Sequence, residues 1–433
     1  MSTPSSRCAH REPYRIFPWM IAHNIFNAIF VYWTFVGSVF TLFLSALGLP
    51  KDQIGVMLSL FPFCGLVALG FAPLAARLGY KRVLITGYTA RILVLSSLLL
   101  LPWLLFHTGR TVTIAVLFGV FAIFALLRAL AETAYYPWTL EFVSPTVRGK
   151  FAAVNTGVST VVAALALLVA SRVIGAGGDL SRFLLLIAVG SGCGLIGVSM
   201  LSQLPGGIPV IDPPTGGAHH QQMAAALRDR TFTRCLIGMG CVTLGGVLLT
   251  SFLPLYVKEQ LEVSPGAVVA LDTATMVGGV ASSIFWGWLA DRAGSRRVLL
   301  PGIGIGILIT LGWLLLPRHL PQMLLWCGLL NFWYGVSISG IGIGTDRLLF
   351  AGVIPTEKSG AYTAIYYAWI GLIGGIAPLL AGALLTACAN RHETIGGYPL
   401  DGHAMLFALS LLLLAVGLGW YRLVRPGVTV TGS

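Results

Sequence analysis

Long apolar stretches recur along this chain, each bounded by a short polar run, and that alternation sets the architecture before any single residue is weighed. A helix that crosses a bilayer needs about 20 largely apolar residues. The pattern predicts crossings near 17–48, 53–77, 82–106, 111–142, 150–174 and 182–204. A second series follows near 232–260, 266–290, 297–316, 321–353, 359–388 and 402–424. The stretches are longer than a barrel strand, which favours a helical bundle over an outer-membrane barrel. Turn chemistry fills the breaks, as at Gly48-Leu49-Pro50 and Ser264-Pro265-Gly266. The expected fold is an all-α membrane protein of twelve transmembrane helices in two six-helix bundles. Residues 1–204 form the N-terminal half, 205–231 a cytoplasmic linker and 232–433 the C-terminal half. The linker reads as a Gly/Pro-rich tether, PGGIPVIDPPTGG, followed by a short surface helix.

Composition agrees. Of 433 residues, 56% are hydrophobic and 10% charged, against about 25% charged in soluble domains. The net charge of +12 forms no basic patch interleaved with aromatics, so nucleic acid is not an expected partner. Its distribution instead orients the chain. With the N-terminus cytoplasmic, the inner segments hold 17 lysines and arginines and the outer connections 7, which predicts both termini in the cytoplasm of an inner-membrane protein. The first apolar stretch is too long for a cleavable signal. The seven cysteines never come closer than six apart, so neither a CxxC metal site nor a disulfide framework is expected, and no cofactor is called for.

The halves resemble each other. Residues 72–84 (APLAARLGYKRVL) and 287–299 (GWLADRAGSRRVL) are identical at seven of thirteen positions, with Lys81 opposite Arg296. A weaker pair, 143–148 and 353–358, follows in the same order. A duplicated six-helix unit is the economical reading.

The turn GWLADRAGSRRVL resembles the signature turn of the major facilitator superfamily, in Gly287, Leu289, Ala290, Asp291, Arg292, Gly294 and Arg297. The first copy keeps Leu74, Ala75, Arg77, Gly79, Lys81 and Arg82 but has Ala76 at the acidic position. The resemblance covers essentially the whole chain and implies a secondary transporter rather than an enzyme. It also implies a cytoplasmic gate of Arg77, Gly79, Arg82, Arg148, Asp291, Arg292, Gly294 and Arg297; Asp346 and Arg347, by their own position toward the cytoplasm, read as part of a gate or else as a substrate contact. In the implied gate Asp291 would sit near Arg148 and Gly149, while Ala76 offers no charge near Lys358 and Ser359, leaving one latch weakened. The alternative is that these charges only fix topology.

Ionisable groups at mid-membrane cost roughly 2.5–3.5 kcal/mol each on insertion scales, so they mark function. Arg128 and Glu132 share a face of crossing 4, which the resemblance places beside the central cavity. They read as an anion-binding arginine and a proton carrier, or else as a pair that neutralises itself. Asn27, Tyr136, Asn331, Trp333 and Tyr334 are further candidates for the cavity, although Trp333 and Tyr334 also suit an aromatic belt. Asp346 and Arg347 are adjacent and point apart, so at least one needs a partner on another helix. His23 reads as a hydrated interfacial group. Arg91 and Asp272 are isolated, each within about two turns of its span's start and so within reach of snorkelling, and neither is assigned a role.

Walker, HExxH and GxSxG motifs are absent. Crossing 5 lacks the glycine-proline signature of the family's drug/proton antiporters, and Ala131-Glu132 replace the glutamine-glycine of another antiporter motif. The expected function is alternating-access transport of a small solute by a monomer in the lipid bilayer. It is coupled to protons and prefers an anionic or zwitterionic metabolite. The second reading is a transporter-like receptor or assembly partner that no longer cycles.

Overall fold

The computed structural model describes residues 17–68, 70–143, 147–209, 226–354, 359–389, 393–395 and 398–423. Among them, ten helical segments are long and apolar enough to span a bilayer. Two features reconcile these with twelve crossings. The segment Tyr80–Phe142 runs 63 residues, far more than the roughly 20 that one crossing needs, and turns at Gly109, whose φ of 78° and ψ of 173° break the helix. Crossings 3 and 4 are its two arms. Crossing 2 is built of Lys51–Ala68 and Ala72–Leu78, too interrupted to count as a single long helix. Crossing 1 likewise bends between Phe17–Thr34 and Gly37–Ala46.

The remaining crossings are single helices: Arg148–Ile174, Leu180–Leu201, Arg230–Glu259, Pro265–Ala293, Arg296–Leu315, Met323–Arg347, Ser359–Ala387 and Gly402–Leu423. Crossing 7 starts where Asp229 caps it, its Oδ1 accepting from the Thr231 and Phe232 amides at 2.8 and 3.2 Å. Prolines at 62, 254, 301 and 378 sit inside helices. Membrane helices tolerate this because their neighbours supply the lost hydrogen bonds. Large apolar side chains face outward, Ile284 at 83% and Leu308 at 67% exposure, as lipid contact requires and water would not permit. A two-stranded antiparallel hairpin pairs Glu393–Ile395 with Tyr398–Leu400 before crossing 12.

Contacts divide the chain into two compact units. The first comprises Met1–Phe40, Cys64–Ile174 and Asp179–Pro214. The second comprises Thr41–Phe63, Gly175–Gly178 and Thr215–Ser433. Residues 41–63, the turn end of the crossing 1–2 hairpin, therefore pack with the C-terminal crossings. Gly55 and Gly382 make this possible. A Cβ on Gly55 would lie 2.4 Å from the Pro378 carbonyl oxygen, and one on Gly382 2.6 Å from that of Lys51. Backbone touches backbone, which only small residues allow.

Each signature turn is pinned in the same way. Lys81 Nζ donates to the carbonyls of Ser202 and Leu204, at 2.8 and 2.6 Å, beyond the end of crossing 6. Its counterpart Arg296 donates to the Arg422 carbonyl at the end of crossing 12. Both place a cation on orphan carbonyls at the negative end of a helix dipole. Matching contacts at matching positions are what a duplication predicts. The segment after crossing 6 is also held, Trp138 Nε1 donating to the Pro205 carbonyl (3.0 Å) and the Gly207 amide to Glu141 Oε2 (2.6 Å). The remainder of the expected tether and most of its surface helix, 210–225, lie outside the described residues. Lys81→Ala should lower stability by about 1 kcal/mol, the usual worth of a cation at a helix C-terminus. A thermal unfolding midpoint in detergent that does not move would remove this role.

Candidate functional site

The first unit gathers its polar groups at one place. Gly87 of crossing 3 and Ala131 of crossing 4 meet so closely that a Cβ on Gly87 would lie 2.8 Å from the Ala131 Cβ. That approach brings the following turn of crossing 3, Tyr88 to Arg91, within reach of Glu132. The i, i+3 spacing puts Tyr88 and Arg91 on one face. Glycines 190, 194 and 197 of crossing 6 similarly let Phe30, Thr34 and the His23 backbone of crossing 1 come close.

Arg91 is the centre of this arrangement. It is 1% exposed. Its guanidinium carbon lies 3.6 Å from the Tyr88 ring centroid, a cation–π contact, and 5.5 Å from that of Phe30. Nη1 is 3.8 Å from Glu132 Oε1, and Nη2 donates to Asn27 Oδ1 at 2.6 Å. The Tyr88 hydroxyl donates to the same Glu132 oxygen at 3.0 Å. Arg91 Nε has no hydrogen-bond partner among the described residues. The pair is lopsided: Arg91 is sealed, whereas the Glu132 side chain is 43% exposed. Burying a cation this deeply is costly unless a counter-charge and hydrogen bonds compensate.

A cleft of about 310 Å³ lies between crossings 1 and 5, lined by Asn24, Asn27, Tyr32, Asn155, Ser159 and Thr160 among others. Asn24 Nδ2 donates to Asn155 Oδ1 at 2.7 Å, and the Tyr135 hydroxyl donates to Asn24 Oδ1 at 3.3 Å. Asn27 joins the two features, since it lines the cleft and holds Arg91. His23 packs beneath, its Nδ1 2.8 Å from the Gly197 carbonyl and its ring stacked 5.7 Å from Tyr88.

Several sequence expectations change here. Arg128 and Glu132 do share a face, but Glu132 pairs with Arg91, and the Arg128 guanidinium lies 5.5 Å over the Phe35 ring. Arg91 does not snorkel; it is buried because its partners stand on crossings 1 and 4. His23 is not a hydrated interfacial group but 1% exposed. Asn27 is at the site, while Tyr136 is 74% exposed and its neighbour Tyr135 makes the contact with Asn24. Sequence reasoning missed Arg91, Tyr88, Asn24 and Asn155. The Gly87/Ala131 pair of small residues on consecutive crossings was the available signal.

In the second unit, Asn331 is buried with both ends of its amide occupied, Nδ2 on the Cys327 carbonyl (2.9 Å) and Oδ1 on the Thr275 hydroxyl (3.2 Å). It therefore joins crossings 8 and 10 rather than lining open space. Trp333 is half-exposed, and Tyr334 approaches Gly246 of crossing 7. Asp291 at the end of crossing 8 forms an ion pair with Arg347 of crossing 10. The partner sought for one member of the adjacent Asp346–Arg347 couple is thus Asp291. Arg292 lies 4.8 Å over the Trp288 ring, and Arg297 lines a cleft with Arg296, Leu289 and Leu300. Gly79 and Gly294 carry φ of 94° and 86°, as their tight turns demand. Arg77, Arg82 and Asp346 are exposed. The Arg148 side chain, expected near Asp291, lies outside the described residues.

Comparison with known proteins bears on this architecture. The profile of the Major Facilitator Superfamily matches residues 24–378. A putative proline/betaine transporter of Staphylococcus haemolyticus (strain JCSC1435) is 25% identical over 168 residues, covering 36% of this chain and 33% of its own length. The multidrug resistance protein MdtG of Citrobacter koseri is 31% identical over 154 residues, covering 34% of this chain and 36% of its own. The matched stretches thus span about a third of these curated relatives. The crystal structure of the nucleoside transporter NupG superposes with a TM-score of 0.69 at 14% identity, over 94% of this chain and 99% of that one, a likeness of fold.

Proposed function

Because the chain belongs to the Major Facilitator Superfamily, we propose that it is a monomeric secondary transporter that moves a small solute across the cytoplasmic membrane by alternating access, coupled to protons. The observation that carries this reading is the buried Arg91 paired with a half-exposed Glu132 beside a polar cleft. A carboxylate whose side chain is 43% exposed can take up a proton. Doing so withdraws the counter-charge from Arg91, so proton binding changes the energy of the whole cluster. Glu132 is the proton carrier, and Tyr88 and Asn27 hold the arginine in place when it discharges.

Arg128 supports an anionic or zwitterionic solute. Two arginines and one carboxylate leave an excess positive charge inside the first unit, and no described carboxylate pairs with Arg128. A solute carboxylate would compensate it, bidentately if geometry allows. The proline/betaine transporter among the relatives is named for zwitterions, which agrees. Both termini are cytoplasmic on the charge asymmetry of 17 against 7.

Reconstitution into liposomes with an imposed pH gradient and a panel of labelled metabolites tests the reading. Arg128→Ala should weaken apparent affinity for carboxylated solutes roughly 10- to 100-fold, the worth of a charge-assisted hydrogen bond. Glu132→Gln should abolish uphill uptake driven by the gradient while sparing solute exchange. Equal flux in wild type and both variants would remove both assignments.

A further inference from the structure

A second cluster of titratable groups lies in the second unit, at the end opposite its signature turn. Lys51, the first residue of crossing 2, places Nζ 2.9 Å from Glu259 Oε2 at the end of crossing 7 and 3.5 Å from His403 Nε2 at the start of crossing 12. Lys258 Nζ donates to Ser45 Oγ of crossing 1 at 3.3 Å. These are the polar ties that accompany the Gly55–Pro378 backbone contact, so they hold the crossing 1–2 hairpin onto crossings 7, 11 and 12.

His403 is 2% exposed, yet only one of its ring nitrogens is engaged. An ammonium has donors and no acceptor, so Nε2 must present its lone pair to Lys51. The ring proton of neutral His403 is then on Nδ1, which has no hydrogen-bond partner among the described residues. The charged and titratable groups facing the ring are Lys51 from crossing 2, Tyr256 from crossing 7 at 5.3 Å between rings, and Arg318 and Asp401 from the adjoining connections. Asp401 is committed elsewhere: Oδ2 takes Arg318 Nη2 at 2.5 Å and Oδ1 takes the Ala404 amide at 2.9 Å. Arg318 Nη1 is in turn held by Gln260 Oε1 at 2.7 Å. Asp401, the carboxylate that faces the ring, is therefore already engaged by Arg318 and the Ala404 amide.

We propose that His403 is a proton-binding site that controls this latch: a proton taken onto Nε2 from water at that end converts an acceptor for Lys51 into a like charge facing it and releases the hairpin. The lone pair that held Lys51 becomes an N–H bond, and Lys51 is left with Glu259 alone. Unlike Glu132, which would carry its proton with the solute, His403 would set how long this end stays shut. The meaning of the released state rests on the alternating-access reading, but the docking equilibrium does not, since it is measurable without any flux.

The test is a distance measurement on the full chain in nanodiscs. Nitroxide-bearing unnatural residues replace the exposed Val56 of crossing 2 and Val277 of crossing 8, and double electron–electron resonance is recorded at pH 8.0 and 5.5. The docked-to-released ratio of the otherwise wild-type protein should fall at least about tenfold on acidification, the effect of one unit of differential proton affinity. His403→Gln keeps an acceptor for Lys51 but cannot titrate, so its distribution should be the same at both values. Lys51→Leu removes the like charge and should also lose the response, which covers the case in which the glutamine variant misfolds. A wild-type distribution indifferent to pH would overturn the proposal. So would an acid response that persists in His403→Gln or in Lys51→Leu, because Glu259 or another carboxylate would then be the group responding.

Discussion

Glu132→Ala should destabilise the protein more than Arg91→Met, although Arg91 is far the more buried of the two. Removing the carboxylate strands a sealed guanidinium with only Asn27 Oδ1 and two aromatic faces for company. Breaking a buried ion pair from that side costs about 3–5 kcal/mol. Removing the guanidinium instead leaves a carboxylate that is 43% exposed, which can hydrate or bind a proton, so the cost should stay near roughly 1 kcal/mol. The double variant Arg91→Met/Glu132→Ala should recover most of the loss, since neither charge is then stranded. Thermal unfolding of the three proteins in one detergent gives the cycle directly. Additive effects, or a greater loss from Arg91→Met, would show that the pair is not coupled as the geometry requires. Gradient-driven uptake should be lost in all three, which separates the pair's part in stability from its part in transport.

The lopsided burial behind that expectation could not be read from the sequence. Crossing lengths, the internal duplication and the acidic position of the second signature turn were legible, because each depends on local pattern or on similarity between segments. Pairing between crossings depends on helix rotation, which the hydropathy of an all-round apolar helix does not specify. Arg91 has no counter-charge on its own helix face and so looked solitary, with its partner 41 positions further on. Glu132 has a ready local partner at i−4, Arg128, which hides the longer-range one that Gly87 and Ala131 supply by drawing crossings 3 and 4 together. Lys51, in a connection between crossings, offers no local sign that it reaches Glu259 and His403 across more than two hundred residues. The small residues of crossing 11, Gly374, Gly375 and Gly382, favour a close helix approach, but nothing local shows that the approaching helix comes from the other half of the sequence.

That approach supplies the second large effect. Gly55→Leu should prevent the crossing 1–2 hairpin from docking on crossing 11. The obstacle to a side chain at Gly55 is the Pro378 carbonyl oxygen, 2.4 Å from where a Cβ would stand, with the Gly382 Cα at 3.3 Å. Both are backbone atoms of a helix, so no rotamer change makes room and crossings 2 and 11 must separate. Overpacking of this kind costs about 1–3 kcal/mol where neighbours can shift, and here it falls wholly on the docked arrangement. On the proposed alternating-access cycle, which passes through that arrangement, solute exchange should drop by up to about tenfold for each 1.4 kcal/mol by which docking is penalised. Gly382→Leu should act alike, because its Cβ would meet the Lys51 carbonyl. Gly65→Ala supplies the control on the same chain segment, since nothing lies within 4 Å of a Cβ there and flux should be unchanged. Exchange unaffected by Gly55→Leu, in protein that is folded and inserted, would mean that the hairpin can work without seating on crossing 11. If Gly65→Ala proved as damaging as Gly55→Leu, the loss would instead reflect the removal of glycine flexibility from this helix, and the backbone contact would no longer be its cause.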